Sequence, residues 1–393
     1  MKWIRLILGV LSVLWGGSSV CVAGDIWPGD EAKDTGPVKI GVFLALTGEA
    51  AFLGQPAMNT LQLYVDEINR AGGVIGRPLK LIAYDTEGKA LIAREKVIQL
   101  IETDQVHLLI GGSTSGSSLA VIPLVERAKI PYISLAASVA ITEPVKKWVF
   151  KTPHTDRNAA EKIFYDISQR GLRRVALIYS SGGFGRSGRI QSRSVLEKYG
   201  LELAEEIVYQ AGAEELGHKL SQLRNRTDLD AVVNFDSGRG AVIVTKAFRD
   251  AGIGLPLYQS HGVASERYIE LAGRAADRVR FPAPAILIAE QLPDGDEQKD
   301  ILLSYINRYQ EVFLERPSAF GGYAYDALML TIRALENTGT TRRVRIRDAL
   351  ERTANYVGTA GLVNMNSSDH LGLSSLSFMM LEIIDGQWKV VRP

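Results

Sequence analysis

Hydrophobic positions along this chain switch repeatedly between two periods. Residues 38–45 are an apolar run of strand length, broken only by Lys39, the pattern of a strand covered on both faces. Met58, Leu61, Val65 and Ile68 then recur at helical spacing, and Gly72-Gly73 supplies the stop. The stretch 46–54 between them, with Gly48 and Gly54, reads as a loop. Runs at 79–85, 108–112 and 131–134 predict further strands, separated by helices over 90–102 and about 117–128. The alternation restarts after Phe150-Lys151-Thr152-Pro153. Helices are predicted over 159–171, 188–199, 214–224 and 239–252, and strands over 174–180, 201–209 and 231–235. Two prolines, Pro282 and Pro284, sit in the extended apolar segment 279–288, which suits a crossing strand rather than a sheet centre. Helices over 298–314, 320–338 and 344–353 follow, and the tail (377–384, 387–391, around Asp385-Gly386) carries a hairpin signal. Such β-α alternation predicts an α/β fold, with parallel sheets covered by helices on both sides.

The first residues follow a different logic. Lys2 and Arg5 precede an apolar run at 6–15, then Gly16, Gly17, Ser18 and Ser19, and Cys21-Val22-Ala23 ends in small residues. That is the order of a secretory signal, cleaved after Ala23. A membrane anchor would need about 20 apolar residues, and Val20 is a poor match for lipid attachment at Cys21. A periplasmic location is therefore expected, with residues 1–23 removed. The only cysteine leaves with them, which removes disulfide and thiol chemistry. Single cores stop growing near about 250–300 residues, so the remaining length implies two lobes. A net charge of +1 argues against a nucleic-acid partner, which calls for a basic face.

Two glycine-rich segments invite chemistry. Gly183-Phe184-Gly185-Arg186-Ser187-Gly188 fits G-x-G-x-x-G between a strand and a helix. The dinucleotide fingerprint also wants an acidic residue ending the next strand, about 20 positions on. Glu205 and Glu206 lie inside that strand instead, so the segment reads as a tight strand-to-helix turn at the lip of a cleft, and no cofactor is expected. Gly111-Gly112-Ser113-Thr114-Ser115-Gly116-Ser117-Ser118 offers free backbone amides at a helix start and several hydroxyls. It lacks a P-loop lysine, and a carboxylate suits it better than a triphosphate. Plain capping by one serine is the competing account, but the hydroxyls exceed what a cap needs. Ala136, Ala137 and Ser138 end the next strand at the same sheet edge, where ligands of open α/β sheets bind. The five histidines are never paired at metal-ligand spacing, and no G-x-S-x-G elbow occurs, so neither a metal site nor an enzyme is expected.

Further strings shape the picture: Leu46-Thr47-Gly48 with Phe52-Leu53-Gly54, Asp66-Glu67-Ile68-Asn69-Arg70-Ala71-Gly72-Gly73-Val74-Ile75-Gly76, Asp85, Gln259-Ser260-His261-Gly262-Val263 and Tyr323-Ala324-Tyr325-Asp326-Ala327-Leu328. With the serine-rich turn and Phe184-Gly185, they make the chain resemble the periplasmic solute-binding proteins of Leu/Ile/Val-type ABC importers, over nearly all of its mature length. The resemblance implies a type I periplasmic binding fold, two Rossmann-like lobes joined by a three-crossing hinge. Crossings would fall near Thr152, near Pro282 to Ala285 and near Val357 to Leu362. The lobes would be residues 36–152 plus 285–357 and 153–284 plus 358–393. It also implies a small carboxylate ligand captured by hinge closure, permease subunits in the inner membrane as partners, and a monomeric chain.

By the same resemblance, Ser115 matches the hydroxyl that binds a ligand α-carboxylate, and Ala136, Ala137 and Ser138 match the edge that supplies further contacts. Leu53 takes the place of a covering aromatic, and Phe184 that of a second-lobe aromatic. Asp236 and Ser237 fall around a Tyr that helps hold an ammonium. His261 departs from the pattern, because amino-acid binders place a Glu there to pair with that ammonium. Three readings follow. Asp236 supplies the counter-charge and the ligand is a branched-chain or related amino acid, or the ligand is an aromatic or aliphatic acid assisted by a protonated His261, or His261 is a turn residue. The same fold also serves sensory proteins that dock on a receptor or sensor kinase, so two roles stay open: importer component or sensor.

Overall fold

The computed structural model describes residues 35–210 and 215–391, so the expected signal segment 1–23 lies outside the described residues. The chain opens with β1 (Val38–Leu44), α1 (Ala51–Arg70), β2 (Leu79–Asp85), α2 (Ala90–Glu102), β3 (Leu108–Gly111), α3 (Ser115–Ala128), β4 (Tyr132–Ser134) and β5 (Val149–Lys151). These strands form one five-stranded parallel sheet in the order β2-β1-β3-β4-β5. Strand periodicity sends Val42 and Ile110 to one face and Phe43 and Leu109 to the other, and both faces are buried. One face packs on α1 and on a helix from late in the chain.

The chain then builds α4 (Asp156–Gln169), β6 (Arg174–Ser180), α5 (Gly183–Val195), β7 (Glu202–Tyr209), α6 (Glu215–Ser221), β8 (Ala231–Phe235), α7 (Gly238–Asp250), β9 (Leu257–Gln259), α8 (Glu266–Ala272) and β10 (Arg280–Ala283). After α9 (Lys299–Phe313), α10 (Ala319–Thr338), α11 (Arg343–Glu351) and the short ribbon β11 (Tyr356–Val357) and β12 (Leu362–Val363), the tail forms β13 (Met379–Ile384) and β14 (Gln387–Val390). A seven-stranded sheet results, ordered β14-β13-β10-β9-β8-β6-β7. Its first five strands in sequence pair in parallel and the tail adds an antiparallel hairpin across left-handed Asp385 and Gly386. Among the described residues no helix is long and apolar enough to cross a membrane.

Three local expectations need correction. The loop expected over 46–54 is shorter, since Ala51 already begins α1 and Gly54 lies inside that helix. The glycines of Gly183 to Gly188 are not a turn; they form the opening turns of α5, where missing side chains let the helix lie against the sheet, and a Cβ on Gly188 would meet the Phe235 ring at 2.2 Å. The proline segment is not peripheral either: β10 is third in a sheet of seven. Its pairing with β9 stops at Arg280, so Pro282 faces no donor-hungry partner there and pairs only with β13.

Candidate functional site

Helix starts, rather than strands, furnish the polar ends of the site. Gly111 and Gly112 leave β3 with φ of +149° and +71°, and a Cβ on Gly112 would sit 2.2 Å from the Ser118 hydroxyl. That sharp exit sets α3 going at Ser115. Its cap is Thr114, whose Oγ1 accepts from the Ser117 amide at 3.1 Å. The amides of Ser115 and Gly116 precede the first intrahelical bond and carry the positive end of the helix. The neighbouring hydroxyls divide into two groups. Ser118 is spent internally, on the Gly112 carbonyl at 2.9 Å and on Ser134 and Tyr132. Ser113 and Ser115 each accept one backbone amide, from Ala45 at 3.0 Å and Ser138 at 3.3 Å, and so keep a proton to donate.

Both line a cavity of about 530 Å³ that also receives groups from the seven-stranded sheet. A second helix start, that of α5, arrives opposite the first. An added Cβ on Gly183 would lie 3.1 Å from the Gly116 nitrogen. Of the residues expected from sequence, Leu53, Ser115, Ala136, Ala137, Phe184, Asp236 and His261 all line this cavity. Ser138 does not. It is buried, and its hydroxyl pairs with Ser187 on α5 at 2.7 Å, joining the two sheets' edges instead of facing the cavity.

The apolar wall is aromatic. Phe52 and Phe320 meet edge to face at 5.7 Å, and Phe184 stands edge-on to His261 at 5.4 Å. Phe52, in the first turn of α1, rather than Leu53 thus supplies the aromatic at this end of the cavity. Phe52, Phe320 and Tyr323 carry no sequence signal of their own as site residues; they become neighbours only when α10 packs on α1.

Charged side chains in the cavity lining are Glu49, Asp236 and Arg239. Asp236, at the end of β8, is buried and accepts a short hydrogen bond from the Tyr209 hydroxyl. Burial raises its carboxyl pKa, while Tyr209, the Ser237 amide and Ser180 favour the carboxylate. His261 is fully buried, and neither ring nitrogen has a partner among the described residues. Burial, with Lys151 nearby, lowers its pKa to about 3. Both causes work against a protonated His261 as a cation for the ligand and favour the neutral ring. The Tyr323 hydroxyl, also buried, is likewise unpartnered. Among the described residues no cluster of His, Cys, Asp or Glu could hold a metal ion.

The sequence profile of the periplasmic binding proteins matches residues 37–387. The chain belongs to the periplasmic binding protein family. Its fold is that of the type I periplasmic binding proteins. It is 26% identical over 184 residues to Leu/Ile/Val-binding protein homolog 7 of Brucella abortus, a match covering 44% of this chain and 45% of that relative. The chain thus spans less than half the length of that relative. An extracellular ligand-binding receptor from Rhodopseudomonas palustris HaA2 superposes with a TM-score of 0.84 at 28% identity, over 90% of this chain and 99% of that one. Two further structures share the fold. The Streptococcus pneumoniae substrate-binding protein LivJ with isoleucine gives a TM-score of 0.79 at 22% identity, over 91% of this binding protein and all of LivJ (100%). A Rhodopseudomonas palustris BisB5 solute-binding protein with 3,4-dihydroxybenzoic acid gives 0.77 at 20%, over 90% and 96%.

Proposed function

We propose that this binding protein is the extracytoplasmic component of an ABC importer and captures a small carboxylate-bearing solute in the cavity between its sheets. One observation carries the reading: two helix N-termini, at Ser115-Gly116 and Gly183, converge on one cleft beside two serine hydroxyls with protons to give. Two positive helix ends brought together repel, and an anion beside them in the cavity offsets that repulsion. In this reading the lobes are residues 36–152 plus 285–357 and 153–284 plus 358–393, and closing them about the crossings brings Gly183 to Gly116. The carboxylate sits against Ser115, Gly116 and the Ala136–Ala137 edge. Its apolar body lies among Phe52, Phe184 and Phe320.

The neutral His261 and the Tyr323 hydroxyl favour an acid with a neutral polar group at its far end, since each needs a hydrogen-bond partner once water leaves. The carboxylate of Asp236 favours a second reading, an amino acid whose ammonium it pairs. Isoleucine in LivJ and 3,4-dihydroxybenzoate in the BisB5 protein exemplify the two classes. A melting-temperature screen against leucine, isoleucine, benzoate, 4-hydroxybenzoate and 3,4-dihydroxybenzoate separates them, because a ligand of the native state alone raises the midpoint. Stabilisation by the benzoates supports the first reading and by the amino acids the second. A screen with no shift at millimolar ligand rejects the carboxylate assignment.

A further inference from the structure

Lys151, the last residue of β5, is fully buried, yet among the described residues its ammonium has no carboxylate at ion-pair distance. Nζ donates instead to the backbone carbonyls of Ala137 at 2.7 Å and Ser138 at 3.4 Å. Burying a cation without a bonded counter-ion costs several kcal/mol, so something else must offset it. The Ala137 carbonyl shares its peptide plane with the Ser138 amide, and that amide donates to the Ser115 hydroxyl. An unbroken path therefore runs from ammonium to carbonyl, across one peptide, from amide to hydroxyl. Each bond polarises the next in a dry interior.

We infer that Lys151 is a positioning residue for ligand capture: through the 137–138 peptide it turns the Ser115 hydroxyl proton toward the cavity and adds the positive field that a carboxylate completes. The inference rests on the carboxylate reading of the cavity. Four titratable groups set the field at Lys151: Asp156 on α4, Glu143 after the turn that follows β4, and the histidines His154 and His261. Asp156 also gives its own amide to the Ala137 carbonyl at 3.3 Å, so that carbonyl is held from two sides. Burial lowers the Lys151 pKa to about 7, against the pull of Asp156 and Glu143. A bound carboxylate favours the charged amine, so capture takes up a proton near neutral pH.

The test combines Lys151→Met, Ser115→Ala and the double variant, with isothermal calorimetry on whichever of isoleucine and 3,4-dihydroxybenzoate stabilises the wild type more. Lys151→Met should weaken binding about tenfold, the size of one charge-assisted hydrogen bond. The same change in the Ser115→Ala background should cost clearly less, because the path ends at that hydroxyl. Wild-type affinity should fall as pH rises through about 7, with a heat that varies with the buffer's ionisation enthalpy, and Lys151→Met should abolish both. Equal losses in both backgrounds, or a pH profile unchanged in Lys151→Met, overturn the inference. A ligand-free measurement stands apart from the carboxylate reading and from the folding of any variant. In wild-type protein the Ser138 amide resonance should titrate together with the Lys151 side chain. If the two titrate independently the path does not exist, even when a carboxylate binds; if they titrate together while no acid binds, the path stands and only the carboxylate reading falls.

Discussion

The Cβ position of Gly183 lies 3.1 Å from the backbone nitrogen of Gly116, so the first turns of α5 and α3 stand in direct apposition. A side chain at Gly183 must push those helix starts apart, whereas a Cβ on Gly116 would meet nothing nearer than the Thr114 hydroxyl at 4.0 Å. Gly183→Val should therefore weaken ligand binding by about tenfold or more, while unfolding of the free protein changes by no more than about 1 kcal/mol, as for an ordinary helix-end substitution. Calorimetry with the best carboxylate of the screen, beside urea unfolding without it, checks both halves. Undiminished affinity would show that this contact is irrelevant to capture.

Ser115 should matter to binding and hardly at all to folding. Its hydroxyl accepts only the Ser138 amide, and that bond is long at 3.3 Å. Removing a hydroxyl that donates to a carboxylate costs about 1.5–3 kcal/mol, or roughly ten- to hundredfold in affinity. Ser115→Ala is expected in that range, with ligand-free stability lowered by only about 1 kcal/mol, the low end for the Ser138 amide it leaves without an acceptor. Titration calorimetry at one pH and salt concentration decides it.

Asp326 on α10 has a purely architectural task. Buried within the helix, it accepts the Thr359 amide at 2.7 Å and the Ala360 amide at 2.9 Å, clasping the turn between β11 and β12. Asp326→Ala strands two buried amides, each worth about 1–3 kcal/mol. A loss of about 2–5 kcal/mol in urea unfolding is expected on that basis, and Asp326→Asn, which keeps an acceptor, should lose less. Equal stability of Asp326→Ala and wild type would mean that solvent reaches the turn.

Acid should weaken the fold partly through His261. Its pKa is about 3 in the folded chain, by burial, against about 6.5 when unfolded. Between those values the unfolded chain binds the extra proton, so stability falls as pH falls from about 6.5 toward about 3. Only below the folded value does this contribution level off. His154, stacked on Phe378 at 3.8 Å with both nitrogens unpartnered, pulls in the same direction. His261→Phe should remove about 2 kcal/mol of the difference between pH 7 and pH 5. Urea midpoints at the two pH values provide the measurement, and an unaltered difference would mean that water already solvates the ring.

The elements read most directly from sequence are those whose signal is local. β2 at Leu79–Asp85 and α2 at Ala90–Glu102 match the expected runs residue for residue, because an apolar run and a helical period each announce themselves. The starts of α1 and α5 were hidden by glycines. Gly54 and Gly183 read as loop because a glycine that permits close packing looks the same, in one dimension, as a glycine that permits a turn. β10 was misplaced for a related reason, since the gap in pairing that tolerates Pro282 exists only once β9 and β13 are laid beside it. The serine-rich turn was legible as a helix start at a sheet edge, but the sorting of its hydroxyls was not. Whether Ser115 or Ser118 keeps a proton depends on Ser138, Ser134 and Tyr132, which arrive from another strand. Tyr209 and Lys151 left no local trace as site residues, and each acquires meaning through a partner away in sequence, Asp236 and Ala137.

The tail hairpin has a consequence for the order in which this molecule is made. Arg280 in β10 bonds Glu382 in β13, 102 residues later. On a ribosome, all five strands of the first sheet emerge before Asp156, whereas the second sheet keeps an open edge at β10 until Met379 and its successors are synthesised. The strands of the first sheet can thus pair early, but their wall of the cavity waits for Phe320 and Tyr323 of α10, and the second sheet waits longer still for its hairpin.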